Sequence, residues 1–115
     1  MLEELNRISF LYDFYSFFLT DKQQKAIELY YFNNFSLGEI ALEYNISRQG
    51  VYDLLRRAVH SLEEIETRMQ LFSRYNYRKE KLQDALNIVS QDNLKNINIK
   101  NLKEIIEELL EENEN

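Results

Sequence analysis

The sequence contains no cysteine, no proline and no tryptophan, only the glycines Gly38 and Gly50, and a single histidine, His60. Without cysteine there is neither a disulfide framework nor a thiolate metal site. One histidine and no thiol cannot build a histidine-based triad or a His/Cys metal cluster. A glycine-rich phosphate loop is also missing. Glu63, Glu64 and Glu66 on the fourth helix form a carboxylate group, and they read as a solvated acidic face. A non-enzymatic protein with no cofactor and no metal is therefore expected. Met1–Arg7 carries two acids and lacks the basic start of a signal peptide. The aromatic run Phe10–Leu19 is too short to span a bilayer and contains Asp13. A soluble cytoplasmic protein is the expectation.

What is present points to helices. Hydrophobic residues make up 44% of the 115-residue chain and charged residues 30%, a balance that favours a packed core over disorder. Few chain breakers in a Leu/Glu/Lys/Ile-rich sequence predict an all-α fold. The net charge of −6 counts against a purely electrostatic binder of nucleic acid. That charge is uneven. In Thr20–His60, Lys22, Lys25, Arg48, Arg56 and Arg57 balance Asp21, Glu28, Glu39, Glu43 and Asp53, whereas Gln91–Asn115 is strongly acidic.

A first helix is predicted from Leu2 to about Leu19, with Leu5, Ile8, Tyr12, Tyr15 and Leu19 on one face. Phe10, Phe14, Phe17 and Phe18 fall largely off that face, which suggests either one thick aromatic core or contact with a second surface. Thr20 and Gln23 form a capping box for a second helix to about Phe32, burying Ile27, Tyr30 and Tyr31 or their neighbours. Asn33 and Asn34 make a turn. Ser36 and Glu39 cap a short third helix that ends near Tyr44. Asn45 suits the left-handed residue of a helix C-terminus, and Ser47 caps the next helix.

The fourth helix is predicted from Ser47 to Ser73, roughly 40 Å long at 1.5 Å per residue. Val51, Leu55, Ala58, Leu62, Ile65, Met69 and Phe72 make a heptad seam along it. A further helix is expected at Arg78–Val89 and a polar connection at Asn93–Asn98. A last helix carries Ile99, Leu102, Ile106 and Leu109 on one side, with Glu111–Asn115 frayed. Residues 1–75 are read as a helix-turn-helix domain with an aromatic N-terminal helix, and 76–115 as a helical extension for packing or dimerisation. Phe10, Phe14, Phe17, Leu62, Ile65, Met69 and Phe72 are the candidate interface of a homodimer, the alternative being that the C-terminal helices cover this seam within one chain.

Leu37–Leu55 carries the functional signal. Ile40 is a core position of the first helix of a helix-turn-helix, and Ala41 is the small residue at the crossing. Tyr44 and Ile46 surround the turn, while Val51 and Leu54 hold the second helix against the first. Their burial leaves Arg48, Gln49, Tyr52, Asp53 and Arg56 outward, with Arg57 near the border. Arg48 and Gln49, just after Ser47, suit guanine and adenine edges. Tyr52, Arg56 and Arg57 suit phosphates. Asp53 can accept from cytosine but repels the backbone.

Residues from about Ile8 to Glu80 resemble the YlxM family of bacterial helix-turn-helix proteins. The resemblance is carried by 19-LTDKQ-23, 28-ELYY-31, 36-SLGEIA-41 and 47-SRQGVYD-53. The helix-turn-helix is similar to promoter-reading region 4 of sigma factors, although the other sigma regions have no room here. Gly50 stands where the resemblance leads one to expect alanine. The resemblance implies a DNA-binding regulatory protein encoded beside the signal recognition particle genes and taking part in that pathway. The alternative it leaves is an accessory protein that binds the particle's RNA or protein components without reading DNA.

Overall fold

The computed structural model describes residues 2–91 and 97–114, and every element among them is helical. They are α1 (Leu2–Tyr15), α2 (Asp21–Ile27), α3 (Leu37–Tyr44), α4 (Arg48–Met69), α5 (Leu71–Gln91) and α6 (Ile97–Glu114). The chain divides into two compact units, Met1–Phe72 and Ser73–Asn115. In the first unit α4 is the central rod, packed against by α1, α2 and α3.

Local chemistry sets most boundaries of the first unit. Thr20 accepts from the Gln23 N–H at 3.1 Å and its own N–H donates to Gln23 Oε1 at 3.0 Å, the capping box the sequence predicts. Ser36 and Glu39 repeat the arrangement at α3. α1 stops earlier than expected, giving way at Ser16–Phe18 to a single 3-10 turn. Gln24 fastens that corner by donating to the Ser16 carbonyl at 2.7 Å. After α2 the backbone widens into a π-helical turn, Glu28–Phe32, closed by the Asn33 N–H on the Glu28 carbonyl. The wider turn leaves Tyr30 exposed and buries Leu29, so Ile27 and Leu29 are this segment's enclosed residues and half-buried Tyr31 packs against them at the core's edge.

The core contains Ile8, Leu11, Tyr15, Ile27, Ile40, Val51, Leu55 and Leu62, among others. Leu11 is fully enclosed although it lies beside the predicted stripe, whereas Leu5 on that stripe is exposed. Phe10 and Phe14 pack against the core, and Phe17 and Phe18 remain in solvent with ring centroids 4.3 Å apart.

The long fourth helix departs from expectation in two ways. Its buried face is Val51, Leu55, Ala58, Leu62 and Glu66, not a heptad running on through Ile65 and Met69. A straight helix drifts by roughly 20° per heptad, so a seam that starts at Val51 reaches Glu66. Met69 is exposed accordingly. The helix also ends before Ser73, because Gln70 adopts the left-handed conformation, φ 57° and ψ 29°.

Glu66, expected on an acidic surface, is only 4% exposed. Its Oε1 accepts from Tyr15 Oη at 2.7 Å and from the Phe72 N–H at 3.0 Å. Tyr15 Oη in turn accepts from the Leu71 N–H at 3.0 Å. These two side chains satisfy the first N–H groups of α5, which have no intrahelical acceptor. Nearby, Arg7 forms a two-pronged pair with Glu63 at 2.7 and 2.6 Å, which raises its pKa, and lies over the Phe72 ring. Phe10 stacks on the same ring.

Of the expected dimer residues, Leu62 and Phe72 are therefore enclosed within the unit. Phe10, Phe14 and Ile65 are partly covered, and Phe17 and Met69 are exposed.

α5 starts before the predicted Arg78, directly after Gln70 and within the last residues of the first unit. In α6, Ile106 is buried as predicted and Leu110 joins it, whereas the predicted Leu102 and Leu109 are exposed and Ile99 is half-buried. The expected connection at Asn93–Asn98 lies partly outside the described residues, with Ile97 and Asn98 already in α6. Glu111–Glu114, expected to fray, belong to that helix as well, and Asn115 lies outside the described residues.

Buried phenols give a pH prediction. Burial and a 3.1 Å hydrogen bond to Glu28 push Tyr12 up to about 12. Burial and Glu66 raise Tyr15 as well. Folding favours the neutral phenol, so its contribution is fully present below about pH 10 and is lost as pH climbs towards about 12. A spectrophotometric titration of the phenolate band should show these tyrosines ionising late and together with unfolding. Uniform titration of all eight tyrosines near their ordinary value in the folded chain contradicts this account.

Candidate nucleic-acid interface

The site is built by the α3–α4 corner. Asn45, at φ 55° and ψ 47°, ends α3, and the Ile46 N–H reaches back to the Ala41 carbonyl at 3.0 Å. That closure reverses the chain within a few residues and tucks Ile46 and Tyr44 against the core. Ala41 is nearly buried, as a close crossing of two helices requires. Ser47 then starts α4, its hydroxyl accepting from the Gly50 N–H at 2.9 Å.

Gly50 needs no unusual backbone conformation. A Cβ there would sit 3.1 Å from Ser47 Oγ and 3.8 Å from Ile46, so the residue is held close to the cap rather than to open space. Gly50→Ala is accordingly expected to raise stability by less than the ~1 kcal/mol its helix propensity alone would supply. Thermal unfolding monitored by circular dichroism checks this, and a full propensity gain would mean that the cap yields freely.

The outer face of α4 carries the predicted residues largely as expected. Ser47, Arg48, Gln49, Tyr52, Arg56 and Arg57 are exposed, and Asp53 is half-buried. Arg57, expected near the border, is fully on the outer side. Gln49 Nε2 donates to Asp53 Oδ1 at 3.2 Å, so the carboxylate is turned towards its own helix. Among the described residues Arg48, Arg56 and Arg57 form no ion pair and no side-chain hydrogen bond.

Two features beside this face were not legible in the sequence. A cleft of about 360 Å³ opens between Tyr30, Tyr31, Leu37, Tyr52 and Arg56. A second pocket, of about 570 Å³, lies between α2 and the middle of α4 and is lined by Gln23, Arg56, Arg57, His60 and Ser61. Both depend on which faces of α2 and α4 meet. His60 lies 3.9 Å from Glu64. Among the described residues there is no cluster able to hold a metal ion, and no helix is long and apolar enough to cross a membrane.

A capped helix set across a second one by a left-handed turn, with an outward basic face, defines a helix-turn-helix protein. Comparison with known proteins refines this. Residues 2–105 match the model of the UPF0122 family, described as helix-turn-helix proteins that are YlxM / p13 like, and the chain belongs to that family. The UPF0122 protein YofM of Lactococcus lactis is 42% identical over 107 residues, 93% of this chain and 96% of the relative. A relative from a Geobacillus species is 44% identical over 91 residues, 79% of this chain and 83% of its own. One from Bacillus velezensis is 48% identical over 79 residues, 69% and 72% of the two chains.

Proposed function

We propose that the chain is a DNA-binding regulator that inserts the N-terminal turns of α4 into the major groove. The observation that carries this is the set of unpaired guanidinium groups, Arg48, Arg56 and Arg57, on the outer face of a capped recognition helix. In a chain of net charge −6, arginines left without a carboxylate partner are available to an external anion. In this reading Arg48 and Gln49 address base edges. Tyr52, Arg56 and Arg57 hold phosphates, and Ser47 and Asp53 shape the entering turn. Such a regulator works in the cytoplasm, where it meets DNA.

A binding series on duplex DNA at graded salt tests the reading. Arg48→Ala is expected to cost about 1–3 kcal/mol on a preferred site and to relax base preference there. No duplex binding even at low salt removes the proposal.

Pairing of two copies on a two-fold site would run through exposed Phe17 and Met69, because Leu62 and Phe72 are covered within the chain. Light scattering on the 14.0 kDa chain at micromolar concentration should then return twice that mass, and the single-chain mass counts against pairing.

A second reading, an accessory role on the signal recognition particle's RNA or protein components, draws on the exposed pair Phe17 and Phe18. Tagged protein that recovers neither the particle's RNA nor its GTPase removes that reading.

A further inference from the structure

We infer that the pocket lined by Gln23, Arg56, Arg57, His60 and Ser61 is a seat for one phosphate of a nucleic-acid backbone. The inference rests on the duplex-reading proposal and extends it to a site away from the base-reading turn. Every lining side chain can donate a hydrogen bond and none is a carboxylate. Glu64 borders the site, 3.9 Å from His60 Nε2.

The α4 residues that line it converge by helical spacing. Arg56 and His60, and Arg57 and Ser61, stand four apart, and Arg57 and His60 three apart, so all project to one side of α4. Gln23 completes the set from α2, and its orientation is imposed. Its Oε1 is held by the Thr20 N–H at 3.0 Å in the capping box. The amide's NH2 is then the end left for a ligand, and among the described residues it has no partner. Arg56 and Arg57 likewise have none. Two planar guanidinium groups beside an imidazole, an amide and a hydroxyl match a tetrahedral oxyanion.

Geometry says where the phosphate comes from. Arg57 follows Arg48 by roughly 13 Å along the helix at 1.5 Å per residue. The major groove is about 12 Å wide. With Arg48 and Gln49 at the base edges, the pocket falls at the rim of the groove, where the backbone runs.

The test uses the full chain and a random-sequence duplex, with affinity measured by fluorescence anisotropy at several salt concentrations. Arg57→Ala should weaken binding equally on all sequences and lower the slope of log affinity against log salt by about 1. Gln23→Glu is the sharper variant. Glutamate preserves the capping box, so the fold is kept, but it places a carboxylate where the phosphate would lie. It should lose affinity at least as strongly as Arg57→Ala.

In a parallel titration with inorganic phosphate at constant ionic strength, saturable NMR shifts are expected at the Gln23 side-chain amide and Arg57 Nε–H. If wild type binds duplex and neither variant alters affinity or slope, the seat is overturned while the duplex reading stands. If wild type binds no duplex, both fall.

Discussion

Glu66→Ala is expected to lower the stability of the fold by about 1–3 kcal/mol for each buried polar group it leaves unsatisfied. At least two groups are at stake. Tyr15 Oη would lose its acceptor at 2.7 Å and the Phe72 N–H its acceptor at 3.0 Å, both in the interior of the first unit. The loss would not stop there, because Tyr15 Oη also receives the Leu71 N–H, and that bond depends on where the phenol points. Glu66→Gln retains a carbonyl oxygen at the same place and should recover much of the loss. Chemical denaturation of the three proteins, followed by far-ultraviolet circular dichroism, checks the order wild type, Gln, Ala. Equal stability of wild type and the Ala variant would show that water replaces the carboxylate without cost. Under the duplex-reading proposal, affinity for DNA should follow stability here, since this cluster lies away from the outer face of α4.

Leu62→Ala is the second large effect. Leu62 is 0% exposed at the centre of α4. Truncating a fully buried leucine typically costs about 2–5 kcal/mol, the spread reflecting how far the neighbours collapse into the cavity. Leu42, 85% exposed, is the matched control, and its truncation should stay within about 0.5 kcal/mol of wild type. The same pair discriminates between two roles for the apolar seam. A seam buried within one chain gives a loss independent of protein concentration. A seam completed by a second copy makes that loss itself vary with concentration. With Phe10 stacked on Phe72 and Arg7 over that ring, independence from concentration is expected for Leu62→Ala.

Much of the site was legible because its determinants are local. A hydroxyl with a Glu or Gln three residues on announces a helix start whatever surrounds it, and Thr20–Gln23 and Ser36–Glu39 both form as read. Asn45 in the left-handed region and Ser47 as cap follow from what each side chain does to its own backbone. With Ile40, Ala41 and Val51 turned inward, the outward residues of α4 follow from helical period alone. The resemblance carried by 36-SLGEIA-41 and 47-SRQGVYD-53 pointed to the same family that the comparisons establish.

Other features were hidden because they belong to packing. Nothing near Gln70 advertises a break, since glutamine rarely adopts positive φ, and the apolar pattern runs on through Phe72. The break at Gln70 is accompanied by N–H acceptors supplied from elsewhere. Tyr15 comes from another helix and Glu66 from the preceding turns of α4, and their partners can be known only once α1 lies on α4. The burial of Leu11 instead of Leu5, and of Leu110 instead of Leu109, is the same kind of decision. A helix with several apolar faces has no unique inward side until its neighbours choose one.

The helix-turn-helix from Ser36 to His60 was thus determined by sequence, through caps, a left-handed asparagine and a 3.6-residue period that act over one or two turns. The tertiary structure alone decided what stands behind it. It turned the distal half of α4 onto α1, buried Glu66, enclosed Leu62 and brought Gln23 opposite Arg57, because contacts between residues far apart in sequence form only when whole helices pack.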